Sequence, residues 1–131
     1  MKHEVLVRKA IAAKKHSLSP YSGFRVGAAL LSTDGKVSTG CNIENSSFSM
    51  TICAERTAIF KAVSEGNRKF STLAIASDSA GFIPPCGACR QVIFELLPDV
   101  EIILANRSGK FIVTTAAALL PMPFTRKFLK S

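Results

Sequence analysis

Cys53-Ala54-Glu55-Arg56-Thr57-Ala58 and, further on, Pro85-Cys86-Gly87-Ala88-Cys89 each open a helical pattern, with the apolar run Leu73 to Ser77 between them. The first pattern continues to about Glu65 and stops before Gly66-Asn67. The second continues to about Leu97 and stops at Pro98. A short apolar run bounded by loop residues reads as a buried strand, and here it is followed by a loop through Gly81 and Pro84-Pro85. Helix, strand and helix in alternation are the grammar of a sheet covered by helices.

Working outward, residues from about His3 to His16 place Val7, Ala10, Ile11 and Lys14 at helical spacing, which predicts an amphipathic helix. Ser17 to Gly23 is a loop. Phe24 to Leu31 reads as a strand, Asp34-Gly35 as a hairpin turn, and Lys36 to Asn42 as the returning antiparallel strand. Ile43 to Ile52 is polar and irregular. Beyond Pro98, Glu101 to Ala105 and Phe111 to Thr114 are strands around a Ser108-Gly109 turn. A short helix through Ala116 to Leu120 precedes Pro121-Met122-Pro123 and a basic tail. Two antiparallel strands followed by strand–helix alternation predict a mixed sheet with helices on its faces. With no repeat, low-complexity stretch or linker, residues 1–131 are expected to form one domain.

Composition narrows the class. A chain of 131 residues, 47% hydrophobic and 20% charged, has the make-up of an ordinary globular protein and not of a disordered one. The start leads into the amphipathic segment instead of a secretory apolar region, and no apolar run approaches the roughly 18 residues of a membrane span. Four cysteines would suit two disulfides outside the cell, but a CxxC pattern in an intracellular chain reads as metal-binding or redox-active. The cytoplasm is the expected compartment. The formal charge of +8 is spread along the chain, with mild clustering at Lys2, Arg8, Lys9, Lys14 and Lys15 and at Arg126, Lys127 and Lys130. Without a Lys/Arg run or basic residues interleaved with aromatics, it reads as a solvated surface, and a nucleic-acid partner is not expected.

The cysteines carry the chemistry. Cys86 and Cys89, three apart at a helix start, can converge on one metal ion, and Cys53 begins a second helix. Three protein ligands with one position left for water are the coordination of a catalytic zinc, whereas structural sites close with four. Two helix N-termini aimed at one site would help stabilise thiolates. Three thiolates outweigh a dication, so activation of water needs a compensating charge, which Arg56 is placed in sequence to supply. Arg56 could equally pair with Glu55 or solvent. Glu55, two residues beyond a ligand, can take a proton from water and relay it, although an acidic residue in the first turn of a helix is also simply favourable. Cys41 could be a fourth ligand or a small buried residue at a strand end, and the second reading is preferred. His3 and His16 read as surface residues. A redox CxxC beside an unrelated cysteine would leave Glu55 and Arg56 without a role.

The pattern matches the zinc deaminase signature of a ligand-x-Glu followed by Pro-Cys-x-x-Cys. Four blocks extend the match: Pro20-Tyr21-Ser22-Gly23-Phe24-Arg25-Val26-Gly27-Ala28, Cys41-Asn42-Ile43-Glu44-Asn45, Cys53-Ala54-Glu55-Arg56-Thr57-Ala58 and Pro85-Cys86-Gly87-Ala88-Cys89-Arg90-Gln91-Val92. In order and spacing, from about residue 4 to residue 124, they resemble the small homotetrameric cytidine deaminases. The resemblance implies a three-layer α/β/α fold around a five-stranded mixed sheet. It implies zinc-dependent hydrolysis of cytidine and 2′-deoxycytidine to the uridine nucleosides and ammonia, as in pyrimidine salvage. It further implies that Asn42 and Glu44 hold the ribose, that Phe24 packs against the nucleoside, and that the backbone at Ala54 together with Glu55 addresses the base edge. Phe124 matches a phenylalanine that reaches into a neighbouring subunit's site. Many relatives have tyrosine where this chain has Phe48, so a hydroxyl near the ribose 5′ end is missing. The rival readings are a deaminase of another cytosine-containing compound and, in a different class, a basic nucleic-acid-binding module with a structural zinc closed by Cys41. The Asn42-x-Glu44 pair favours a free nucleoside, because a contact to the 3′-hydroxyl does not suit an internal nucleotide.

Overall fold

A computed structural model describes residues 2–129; Lys130 of the basic tail lies outside the described residues, as do Met1 and Ser131. Its helices are α1 (His3–Lys14), α2 (Ala54–Ser64), α3 (Gly87–Leu96) and the single turn α4 (Ala116–Leu119). The strands are β1 (Val26–Ser32), β2 (Val37–Cys41), β3 (Phe70–Ser77), β4 (Glu101–Ala105) and β5 (Phe111–Thr115). They form one sheet in the order β2-β1-β3-β4-β5. Only β3 and β4 run parallel, joined through α3, and every other neighbouring pair is antiparallel.

Both faces of the sheet are covered, and the alternation of side chains along the strands assigns the faces. Ala28, Leu30, Leu73, Ile75, Ile102 and Leu104 pack with Ala58, Ile59 and Ala62 of α2 and Ile93 of α3. The intervening Ala29, Leu31, Ala74, Ala76, Ile103 and Ala105 pack with Leu6, Val7 and Ala10 of α1. The result is the three-layer α/β/α arrangement around a five-stranded mixed sheet that the sequence leads one to expect. At the β1–β2 turn Gly35 takes a φ of +91°, open to glycine at little cost, while the Asp34 carboxylate accepts the Lys36 N–H at 3.1 Å.

The differences from the sequence-based expectation have local causes. The strand β3 begins at Phe70, three residues before the apolar run, because Thr72 and Phe70 continue the ladder opposite Leu31 and Ser32 of β1 despite the polar residues around them. Two 3₁₀ turns, Phe48–Met50 and Arg126–Leu129, fall in stretches without periodicity. The irregular segment after β2 is anchored by isolated bridges from Ile43 to Leu18 and to Ile52. One glycine sets the position of the site. A Cβ on Gly40 of β2 would lie 2.6 Å from Ala58 N and 2.7 Å from Ala54 O, so only glycine lets the first turn of α2 lie this close on the sheet.

Candidate active site

The N-termini of α2 and α3 meet beyond the C-terminal end of β3, and the cysteines sit at that junction. Cys53 and Cys86 are the residues immediately before the two helices, both in extended conformation, and Cys89 lies fully buried in the first turn of α3. Cys53 Sγ is 3.6 Å from Cys86 Sγ, Cys86 Sγ is 3.4 Å from Cys89 Sγ, and all three sulfurs lie within 4.8 Å of one another. Neither Cys53 nor Cys86 accepts a hydrogen bond from a backbone N–H of its own helix, and their sulfurs lie against each other. The helix termini therefore act on the thiols through the field of their free N–H groups, and the direct sulfur contacts come from side chains.

The thiols divide a charge between them. Cys53 is lowered to about 5, first by the hydrogen bond from the Cys89 thiol, then, against its burial, by the Arg56 guanidinium and Cys86. Cys89 is pushed up because it keeps the proton it donates to Cys53, and burial pushes in the same direction. Arg56 Nη2 donates to Cys53 Sγ at 3.4 Å, and its Nε is buried without a hydrogen-bond partner. Arg56 thus turns toward the thiols and not toward Glu55. The donor set fits a zinc ion: three thiolates outweigh a dication by one charge, and the adjacent guanidinium offsets it.

Glu55 is 4% exposed, and its carboxyl is raised from 4.5 to about 7, chiefly by burial and additionally by the nearby Cys53 thiolate. It lines a cavity of about 270 Å³ together with Cys53, Ala54 and Cys86, walled by Val26, Asn42, Thr51, Ile52, Ile75, Ser77 and the Ile83-Pro84-Pro85 run. A carboxyl near neutrality beside a metal-ligating thiol cluster can both take and return a proton at physiological pH. Thr51 also borders a second cavity of about 370 Å³, lined by Tyr21, Ser22, Glu44 and Phe48. The two cavities therefore adjoin at Thr51.

The comparisons with known proteins agree on one family. Residues 1–105 match the family model described as the cytidine and deoxycytidylate deaminase zinc-binding region. A cytidine deaminase of Halalkalibacterium halodurans is 49% identical over 126 residues, covering 95% of this chain and 96% of the relative. One from Sporosarcina psychrophila is 50% identical over 127 residues, covering 96% and 93%. The crystal structure of cytidine deaminase from Burkholderia pseudomallei superposes with a TM-score of 0.92 at 48% identity, covering 95% of this chain and all of that one. The chain belongs to the cytidine deaminase family. Zinc is the metal of the matched region, and Cys53, Cys86 and Cys89 are the group that could hold it.

The structure shows how the blocks singled out in the sequence of this cytidine deaminase family member lie. Cys53, Ala54, Glu55, Cys86 and Asn42 share one cavity. Cys41 lies outside the sulfur cluster, half-buried at the end of β2, with its thiol raised by burial and its carbonyl accepting the Thr57 hydroxyl at 3.1 Å. Asn42 is buried and bonded at both ends of its amide: its Oδ1 accepts from Ser17 Oγ at 2.5 Å and Val26 N at 2.9 Å, while its Nδ2 donates one of its two N–H groups to Phe24 O at 2.8 Å. Glu44 accepts the N–H groups of Tyr21 and Ser22 and the Ser22 hydroxyl, which holds its carboxyl below the usual range. Phe24 is 37% exposed and lines neither cavity within this one chain. Phe124, 56% exposed, stacks near Phe128 and lines a separate groove with Phe94 and Met122. His3 bonds Glu101 at 2.9 Å and stands edge-on to Phe111, away from the sulfurs. Sequence reading missed Thr51, Ile52, Ser77 and Ile83 as cavity walls; of these only the apolar Ile83-Pro84-Pro85 run, adjoining Cys86, was open to notice.

Proposed function

We infer that this chain is a zinc-dependent hydrolase that deaminates cytidine and 2′-deoxycytidine to uridine and 2′-deoxyuridine, with release of ammonia. The observation that carries the reading is the buried Glu55 carboxyl, poised at about 7 beside three converging thiols in a pocket of nucleobase size. Cys53, Cys86 and Cys89 would hold the ion, which when bound supplies a Lewis acid that lowers the pKa of the attacking water. Glu55 takes a proton from that water and delivers it to N3 of the base as the new C4–O bond forms. It then takes the remaining proton from the new C4 hydroxyl and transfers it to the exocyclic nitrogen; the C4–N bond breaks, the C4=O of the uridine forms, and ammonia departs. Burial keeps Glu55 close to neutrality, so neither its acid nor its base form is costly. The Arg56 guanidinium keeps the Cys53 sulfur anionic and limits the charge that the thiolates accumulate. The backbone at Ala54, together with Glu55, is assigned to the base edge. The sugar is assigned to Asn42, at the wall of the Glu55 cavity, and to Glu44 in the adjoining one, with Phe24 against the nucleoside.

The same reading extends to assembly. Exposed aromatic residues, Phe48 (76% exposed) beside the second cavity and Phe124 in a separate groove, support a homotetramer in which Phe124 of the partner subunit completes each pocket. One sheet covered on both faces supports residues 1–131 working as one domain. Thiols that must stay reduced to hold metal support a cytoplasmic setting. Among the described residues no helix is long and apolar enough to cross a membrane.

Zinc per chain, followed by ammonia release from cytidine, deoxycytidine, free cytosine and single-stranded DNA, tests the proposal. One zinc per chain with turnover of the two nucleosides supports it; inactivity on all four, or turnover of DNA alone, overturns it. Sedimentation of an active monomer would refute the shared pocket.

A further inference from the structure

Residues 17–25 form a stretch without regular structure that runs through Phe24 into β1 at Val26, a wall of the Glu55 cavity. One end is held by residues already assigned to the sugar. Glu44 accepts Tyr21 and Ser22, Ser22 Oγ accepts the Phe24 N–H at 3.0 Å, and Asn42 Nδ2 binds the Phe24 carbonyl. The other end is held by an unrelated device. Asp78, directly after β3, receives Arg25 Nε at 3.0 Å, Arg25 Nη2 at 3.1 Å and the Arg25 N–H at 3.0 Å, and returns its own N–H to the Arg25 carbonyl at 3.2 Å. Lys14, in the last turn of α1, reaches the same carboxylate at 3.1 Å and the Ser77 carbonyl at 3.4 Å. The lysine side chain is 8% exposed, while Arg25 faces solvent at 47%.

The placement of this triad gives it a consequence for the site. Arg25 immediately precedes Val26 and Asp78 immediately follows Ser77; Val26 and Ser77 pair across β1 and β3, and both wall the cavity that contains Glu55. The triad joins the last turn of α1, the start of β1 and the end of β3 while touching neither the sulfurs nor Glu55. We propose that the Lys14–Asp78–Arg25 triad is a positioning device that holds the Phe24–Val26 segment against the pocket wall, with Arg25 as the residue that sets substrate affinity without entering the chemistry. The proposal rests on the deaminase reading of the pocket.

Two cations share one carboxylate, so removing Arg25 leaves Asp78 paired with the buried Lys14 and spares the fold. Asp78→Asn would instead strand a buried ammonium and mix stability with function. The chain's single tyrosine, in the absence of tryptophan, provides a local probe: Tyr21 lies within the held stretch and is exposed. The experiment uses the zinc-loaded full chain as wild type, Arg25→Gln and Arg25→Lys, measuring kcat and KM for cytidine, zinc content, thermal midpoint and acrylamide quenching of Tyr21 emission. Arg25→Gln is expected to raise KM about fivefold with kcat unchanged, the upper range for a solvent-facing bidentate pair. It is expected to increase Tyr21 quenching, leave zinc unchanged, lower the midpoint by no more than about 4 °C, and be partly rescued by Arg25→Lys. Unchanged KM and quenching overturn the proposal. So does a fall in kcat that tracks lost zinc or a midpoint lowered further, since that marks a merely structural pair. A wild type inactive on cytidine refutes the deaminase reading, and the quenching comparison then judges the clamp separately.

Discussion

Glu55→Gln should stabilise the metal-free protein while abolishing its turnover, and the gain should depend on pH in a defined way. In the fold the carboxyl sits near 7 against its ordinary 4.5, because burial opposes ionisation and Cys53 adds a negative charge nearby. A group raised on folding binds more protons in the native state, so stability falls as pH climbs from 4.5 through 7 and the full penalty is present above that window. A shift of this size corresponds to about 3 kcal/mol, or roughly 10 °C in midpoint for a chain of this length. Glutamine keeps the shape and cannot ionise, so it escapes the penalty. Metal-stripped wild type and variant, melted in chelator from about pH 4.5 to about pH 8, should nearly coincide at the acid end and diverge with the variant ahead at the alkaline end. A pH-independent difference, or a wild type ahead at the alkaline end, would refute the claim that Glu55 is a desolvated acid. Turnover by the zinc-loaded variant near the wild-type rate would refute its role as proton carrier.

Cys86→Ala removes an exposed residue of the sulfur cluster, so the fold should survive while zinc affinity falls at least tenfold and activity disappears, checked by metal analysis and circular dichroism. Gly40→Val should cost about 2–3 kcal/mol in urea unfolding and weaken zinc binding, because its Cβ would strike the backbone of α2 at Ala54 and Ala58. Asn42→Ala leaves the Val26 N–H and the Phe24 carbonyl without their side-chain partner. It should cost about 2 kcal/mol and raise KM for cytidine, read by denaturation and steady-state kinetics.

Much of the architecture was legible locally. The Asp34-Gly35 turn, the break at Gly66-Asn67 and the stop at Pro98 are decided by residues within a few positions of the boundary, and the elements end within two residues of them. The start of β3 was not legible, because Phe70 and Thr72 join the sheet through pairing with Ser32 and Leu31 of β1 and, for Thr72, with Glu101 of β4. Asn42 shows the same limit within the site. Its type and spacing marked it for the sugar, yet its present bonds to Ser17, Phe24 and Val26 are contacts across long sequence separations that no local pattern encodes.

The sequence by itself determined the chemistry: three thiols, a carboxylate two positions from one of them, and a guanidinium beside it are covalent facts, and their spacing at helix starts limits what they can do. The tertiary structure alone decided the state of those groups. Glu55 becomes a near-neutral acid because α2 lies on the sheet over Gly40 and excludes water from the carboxyl, and Cys53 becomes an anion because α3 brings Cys86 and Cys89 to it. Ionisation depends on distance and solvent, and both are set by packing between segments far apart in the chain.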